Sequence, residues 1–122
     1  MKIQGVAMNI DNIQSQMRKG VLEFCILAII KNNEVYPSEI IEQMKMSGLH
    51  VFEGTLYPLL TRLKNSGFLQ YRWEESPSGP PRKYFQITES GLAFYQVLEN
   101  SWEQMNLAVS NIIKTQMKKD NE

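Results

Sequence analysis

From Tyr95 to Ile112 the apolar residues Tyr95, Leu98, Trp102, Met105, Val109 and Ile112 follow one another at steps of 3, 4, 3, 4 and 3. That is the seam of a heptad repeat, which pairs one helix with another rather than laying a broad stripe on a globular core. A second stripe, Phe94, Leu107 (or Ala108) and Ile113, runs beside it. A chain of 122 residues holds one domain with one core and cannot cover both stripes. The long last helix is therefore expected to pair with a second copy of the chain, with Ile13, Leu98, Trp102, Met105, Val109 and Ile112 as dimerisation residues.

The residues before this helix carry shorter periods. Residues 1–8 have none and read as a flexible leader. Ile10, Ile13, Met17, Val21, Phe24 (or Cys25) and Ala28 are spaced as a helix whose second half, Val21 to Ile30, is apolar nearly all round and suits a core. Gly20 marks a bend or a close approach within it. Tyr36-Pro37-Ser38-Glu39 opens a second helix, carrying Ile40, Ile41 and Met44 and stopped at Ser47-Gly48. Glu53-Gly54-Thr55 opens a third, with Leu56, Leu59, Leu60 and Leu63, Pro58 near its first turn, and a stop at Asn65-Ser66-Gly67. Phe68 to Trp73 alternates as a strand, Ser76 to Pro81 is a turn cluster, and Lys83 to Ile87 returns, making a hairpin with a long, proline-stiffened tip. Thr88 caps the last helix, which is expected to run to about Lys118.

The expected fold is mainly α with a small β-hairpin. A winged helix-turn-helix over 9–87 is followed by a C-terminal dimerisation helix over 88–118 and a frayed tail over 119–122.

Several function classes fall away. No apolar run approaches the roughly 18 residues of a membrane span. The first residues lack the apolar core of a secretory signal, which points to a cytoplasmic protein. His50 is the only histidine and Cys25 the only cysteine, so neither a zinc site nor an internal disulfide is expected. No glycine-rich nucleotide loop or nucleophile elbow appears, no cofactor is implied, and an enzyme is not expected. The 13 basic and 13 acidic residues cancel, so a nucleic-acid reading depends on where the charges lie. From Gly54 to Leu69 there are two bases, Arg62 and Lys64, and no acid. The wing carries Arg72, Arg82 and Lys83.

The run Gly54-Thr55-Leu56-Tyr57-Pro58-Leu59-Leu60-Thr61-Arg62-Leu63, then Gly67-Phe68-Leu69, resembles the core signature of the PadR family of bacterial regulators. The wing Gly79-Pro80-Pro81-Arg82-Lys83-Tyr84-Phe85, the segment Ile87 to Gly91 and the segment Gly20 to Ile30 continue the likeness, which spans about Met17 to Ile113. The single C-terminal helix is similar to the short PadR subfamily. The resemblance implies a sequence-specific regulator, a repressor, that binds double-stranded operator DNA as a homodimer and is released by an apolar or aromatic effector.

Candidate DNA-binding residues are Tyr36, Ser38, Glu53, Gly54, Thr55, Tyr57, Arg62, Lys64, Arg82 and Lys83. The resemblance places Thr55 and Tyr57 against DNA; otherwise Thr55 is a cap and Tyr57 packs under the wing. Arg62 either meets phosphate or pairs with an acid of its own subunit. Glu53 either accepts from cytosine or suits the helix dipole. Arg82 and Lys83 either meet phosphate or are turn charges. Trp102 is either dimer core or, as the resemblance implies, the platform of a ligand pore with Met17, Met105 and Asn106, to which Met8 and Phe94 add apolar surface. Cys25 reads as a small buried hydrophobe. Zero net charge keeps a competing reading open: a winged-helix interaction module that does not bind DNA directly.

Overall fold

The computed structural model describes residues 2–3, 6–7 and 9–121. The order is β1 (Lys2–Ile3), β2 (Val6–Ala7), α1 (Ile10–Arg18), α2 (Leu22–Ile30), α3 (Pro37–Met46), α4 (Glu53–Asn65), β3 (Leu69–Ser76), β4 (Gly79–Ile87) and α5 (Glu89–Asp120). Within the 1–8 stretch, the backbone of Lys2–Ile3 pairs antiparallel with Val6–Ala7. Met8 lies outside the described residues, as does Glu122.

The first helical stretch is two helices. α1 opens on Asn9, whose side chain accepts from the Asn12 N–H at 3.0 Å. It exposes Ile10, Ile13 and Met17, while α2 buries Leu22, Ile26, Leu27 and Ile30. The break falls at Gly20, where the solvent-facing half gives way to the buried half. In α3, Pro37 takes the first helical position, and the Glu39 carboxylate accepts from the Tyr36 N–H at 3.2 Å. α4 inserts Leu56, Leu60 and Leu63 into the core. It ends at Gly67, whose φ of 84° lets the Phe68 N–H return to the Leu63 carbonyl at 2.9 Å.

β3 and β4 pair from Leu69↔Ile87 to Ser76↔Gly79, with an irregularity between Glu74 and Ser76. The tip is therefore short, only Pro77 and Ser78, and not the long Ser76–Pro81 turn expected above. Pro80 and Pro81 stand inside β4 at the register irregularity, where the two together oppose Glu75 between the Glu74↔Arg82 and Ser76↔Gly79 pairs, a bulge at which the missing N–H is tolerated. Val35 adds a bridge to the free edge of β4, giving and receiving hydrogen bonds with Phe85 at 3.1 and 2.8 Å. This fixes the start of α3 beside the wing.

α5 is capped by Thr88, whose hydroxyl accepts from the Gly91 N–H at 3.0 Å and donates to the Gly67 carbonyl at 2.6 Å. Its first turns bury Gly91 and Tyr95. Phe94 stacks on Phe68 with ring centroids 4.3 Å apart, and so supports the base of the helix. Beyond Asn100 nearly every residue of α5 is exposed. The helix has 32 residues, and at about 1.5 Å per residue its second half is a rod reaching past its own domain.

Candidate nucleic-acid interface

Burial of Leu56, Leu60 and Leu63 turns the opposite side of α4 outward. Glu53, Gly54, Thr55, Tyr57, Pro58, Thr61, Arg62, Lys64 and Asn65 are all exposed. Pro58 is the sixth residue of the helix rather than one of its first turn, and forfeits the bond to the Gly54 carbonyl. Both positions are exposed, so water can serve that acceptor. The N-cap position belongs to Phe52, not Thr55.

Five of the expected contact residues meet in one open cleft of about 420 Å³ between α3, α4 and the wing. Tyr36 and Ser38 come from the start of α3, Tyr57 from α4, and Arg82 and Lys83 from β4. Pro37, Trp73 and Pro81 complete its wall. Tyr57 is 47% exposed and shares this cleft with the wing residues Arg82 and Lys83.

The alternation of the hairpin gives the wing two chemical faces. On one, the Tyr36 ring packs tilted against Tyr84 with centroids 4.4 Å apart, and the Arg82 guanidinium lies 5.5 Å from the Tyr36 ring. The Tyr36 hydroxyl donates to Glu74 at 3.2 Å. Partial burial, followed by the Glu74 hydrogen bond and charge, raises the pKa of that hydroxyl, so it stays a donor. On the other face lie Tyr71, Trp73 and Lys83, with the Lys83 ammonium 4.6 Å from the Tyr71 ring centre and 5.4 Å from that of Trp73.

The cations divide into held and available ones. Arg72 donates to both oxygens of Glu34, at 3.0 and 3.3 Å, and lies 3.3 Å from Glu74. Its charge is spent inside the subunit, and the Glu34 hydrogen bond raises its pKa further. Arg62 pairs with Glu23 of α2, the intrasubunit partner left open by its sequence position, although its side chain remains 65% exposed. Arg82, Lys83 and Lys64 make no ion pair among the described residues. Sequence reasoning missed Trp73 and the internal capture of Arg72. An aromatic directly opposite a base near the far end of a strand pair was the one local signal for Trp73.

The expected ligand residues are only partly brought together. Met17 and Trp102 line a second cleft of about 410 Å³ with Gln14, Arg18, Val21, Gly48 and Leu49. Met105 and Asn106 lie farther along α5 and do not line it. Phe24 joins Trp102 to Tyr95, with ring centroids at 6.4 and 5.5 Å. Of the expected seam, Leu98 is half-buried, while Ile13, Trp102, Met105, Val109 and Ile112 are exposed on the protomer. His50 packs edge-on to Phe52 at 4.5 Å, and burial raises the pKa of the half-buried Cys25 thiol. Among the described residues, no helix is long and apolar enough to cross a membrane.

Known proteins are similar to this chain in sequence and fold. Residues 26–97 match the family described as transcriptional regulator PadR-like. A PadR-like transcription factor from Bacteroides fragilis is 52% identical, with 84% of this chain and 99% of that one aligned and a TM-score of 0.70. A PadR-like transcriptional regulator from Bacillus cereus is 40% identical over 81% of this chain and 97% of its own, with a TM-score of 0.74. A PadR family transcriptional regulator from Eggerthella lenta is 30% identical over 88% of this chain and 97% of its own, with a TM-score of 0.76. With the winged-helix architecture, the exposed α4 and these matches together, the chain belongs to the PadR-like family of transcriptional regulators.

Proposed function

We propose that this DNA-binding regulator is a repressor that grips an inverted-repeat operator as a homodimer. The observation that carries the reading is the shared cleft: hydroxyls of Tyr36, Ser38 and Tyr57 and cations of Arg82 and Lys83 converge from α3, α4 and β4 beside the exposed face of the third core helix. Hydroxyls and cations on that scale suit backbone phosphates, which set register, while the first turn of α4, with Glu53, Gly54 and Thr55, is free to meet base edges. The exposed seam of α5, together with Ile13 of α1, supports pairing of two copies. Such a pair would set its two recognition helices about 34 Å apart, one turn of the duplex.

Release by an apolar or aromatic effector has the Met17–Trp102 cleft as its support, since it lies between α1 and α5 and its wall includes the apolar side chains of Met17, Val21, Leu49 and Trp102 beside Gln14 and Arg18. A ligand there lifts repression only if it binds one arrangement of the two modules more tightly than the other. Titration with a planar hydrophobic dye would show quenching that is lost in Trp102→Ala; equal quenching in both would remove the platform.

A gel-shift assay with DNA from upstream of the coding sequence tests the main reading. Tyr57→Ala, Arg82→Ala and Lys83→Ala combined should abolish the shifted band, and retained binding would remove the proposed docking face. Neutral overall charge favours one other reading, an interaction module. A steep fall in DNA affinity with salt separates the two, because only phosphate contacts release counterions.

A further inference from the structure

Trp73 has no structural duty equal to its size. It is 61% exposed, and it lies beyond the end of the buried strip formed by Leu69 and Phe85. Its aromatic neighbour is Tyr71, edge to face at 6.0 Å. A lone exposed aromatic is ordinary on a protein surface. This one is set apart by its company. It lines the cleft shared by Tyr36, Ser38, Tyr57 and Arg82, and it stands directly opposite Lys83 in the strand register.

The Lys83 ammonium lies close to two rings, Tyr71 at 4.6 Å and Trp73 at 5.4 Å. Tyr71 receives a second cation on the recognition-helix side, with the Lys64 ammonium 5.7 Å from its centre. Aromatic faces attract a cation without neutralising it, unlike the carboxylates that hold Arg72 and Arg62. The wing thus positions Lys83 without pairing it to a carboxylate among the described residues. A free lysine would lose substantial rotamer freedom on meeting a phosphate, and the ring contacts remove much of that loss in advance.

We infer that Trp73 is a further DNA-contacting residue of the wing, its indole laid against the deoxyribose-phosphate backbone while it holds Lys83 toward the adjoining phosphate. The inference rests on the DNA-binding reading above. It places the contact outside the base edges, so it acts on any duplex and adds affinity without adding sequence preference. Tyr71 acts through Lys83 and Lys64 and is a positioning residue, since its half-buried ring sits beneath them.

The test uses the full chain and a dye-labelled, mixed-sequence duplex of about 30 base pairs at about 50 mM salt, where sequence-independent binding is strong. Three proteins are compared: the natural chain, Trp73→Ala and Trp73→Phe. Duplex should change the tryptophan emission of the natural chain, and the change should vanish in Trp73→Phe, in which Trp102 alone emits. Trp73→Ala should bind about five- to tenfold more weakly, with a log–log salt slope shallower by about one as Lys83 loses its phosphate. Trp73→Phe, which keeps a ring beside Lys83, should restore most of the affinity and the slope. Duplex binding with unaltered Trp73 emission and an unaltered Trp73→Ala salt slope overturns the inference and leaves the DNA-binding reading standing. Failure of the natural chain to bind this duplex or its own upstream DNA overturns both.

Discussion

Gly91, in the first turn of α5, packs so tightly on the Phe68 carbonyl that a Cβ at this position would overlap its oxygen and come within 2.7 Å of Ile87 Cγ1. The contact joins the base of the long helix to the junction between α4 and β3. The same junction supplies the Phe68 carbonyl to the Thr88 N–H at 3.0 Å and the Gly67 carbonyl to the Thr88 hydroxyl. The obstacle is backbone and cannot swing aside. Gly91→Ala should therefore destabilise the protein by about 1–3 kcal/mol, the usual cost of overpacking. Urea denaturation followed by circular dichroism measures it. An unchanged midpoint would mean that α5 can lift off the junction freely.

The Arg62–Glu23 pair restrains a cation on the outward side of α4. Such a half-exposed pair contributes only about 0.2–1 kcal/mol, so its loss leaves the fold intact. Glu23→Gln should free the guanidinium, strengthen DNA binding by about two- to fivefold, and steepen the salt slope by up to one contact. Fluorescence anisotropy across a salt series reads both quantities. Equal slopes for the natural chain and the variant would show that Arg62 does not reach a phosphate even when released.

How much of this was readable in the amino acids follows from the range of each interaction. The α3, α4 and α5 elements, the Thr88 cap and the Gly67 stop were legible because periods, caps and glycine exits are local. The convergence of Tyr36, Tyr57, Arg82 and Lys83 was inferable from motif resemblance, but the cleft itself depends on the Val35–Phe85 bridge. Residues 50 positions apart leave no periodic trace of their pairing. The same is true of Arg62 with Glu23 and Arg72 with Glu34, which decide which cations remain available. The prolines were misleading for a different reason. Pro80 and Pro81 look like turn formers, yet the irregularity in the strand register opposite Glu75 accommodates them as strand residues.

Tyr95 gives the fold a dependence on alkaline pH. Its hydroxyl donates to Glu99 at 2.8 Å, and that hydrogen bond, then burial, then the charges of Glu99 and Glu103 raise its pKa above the ordinary value of 10.0. The folded protein thus holds this proton more tightly than the unfolded chain. The associated stability is complete below the unfolded pKa and is lost as pH rises through the folded one. Stability should fall from about pH 10 upward, and Tyr95→Phe should flatten that fall while lowering stability near neutrality by about 1 kcal/mol. Urea midpoints from neutral to strongly alkaline pH test both halves. A parallel decline in the variant would assign the alkaline loss to other groups.

The exposed half of α5 sets the final expectation. Trp102, Met105, Val109 and Ile112 are 41%, 56%, 49% and 63% exposed on the protomer, along a helix whose later turns touch little of their own domain. Apolar residues at heptad spacing bury their surface by interlocking with another helix, and a charge placed in such a seam has no partner there. Val109→Asp should consequently halve the mass in solution at micromolar concentration. It should leave the winged module folded, because Val109 contributes nothing to its core. DNA affinity should fall steeply, since a single module loses the second half-site. Sedimentation and anisotropy on the same samples link the two effects. A natural chain that sediments as a monomer, or a Val109→Asp variant that stays dimeric, would move the pairing surface away from this helix.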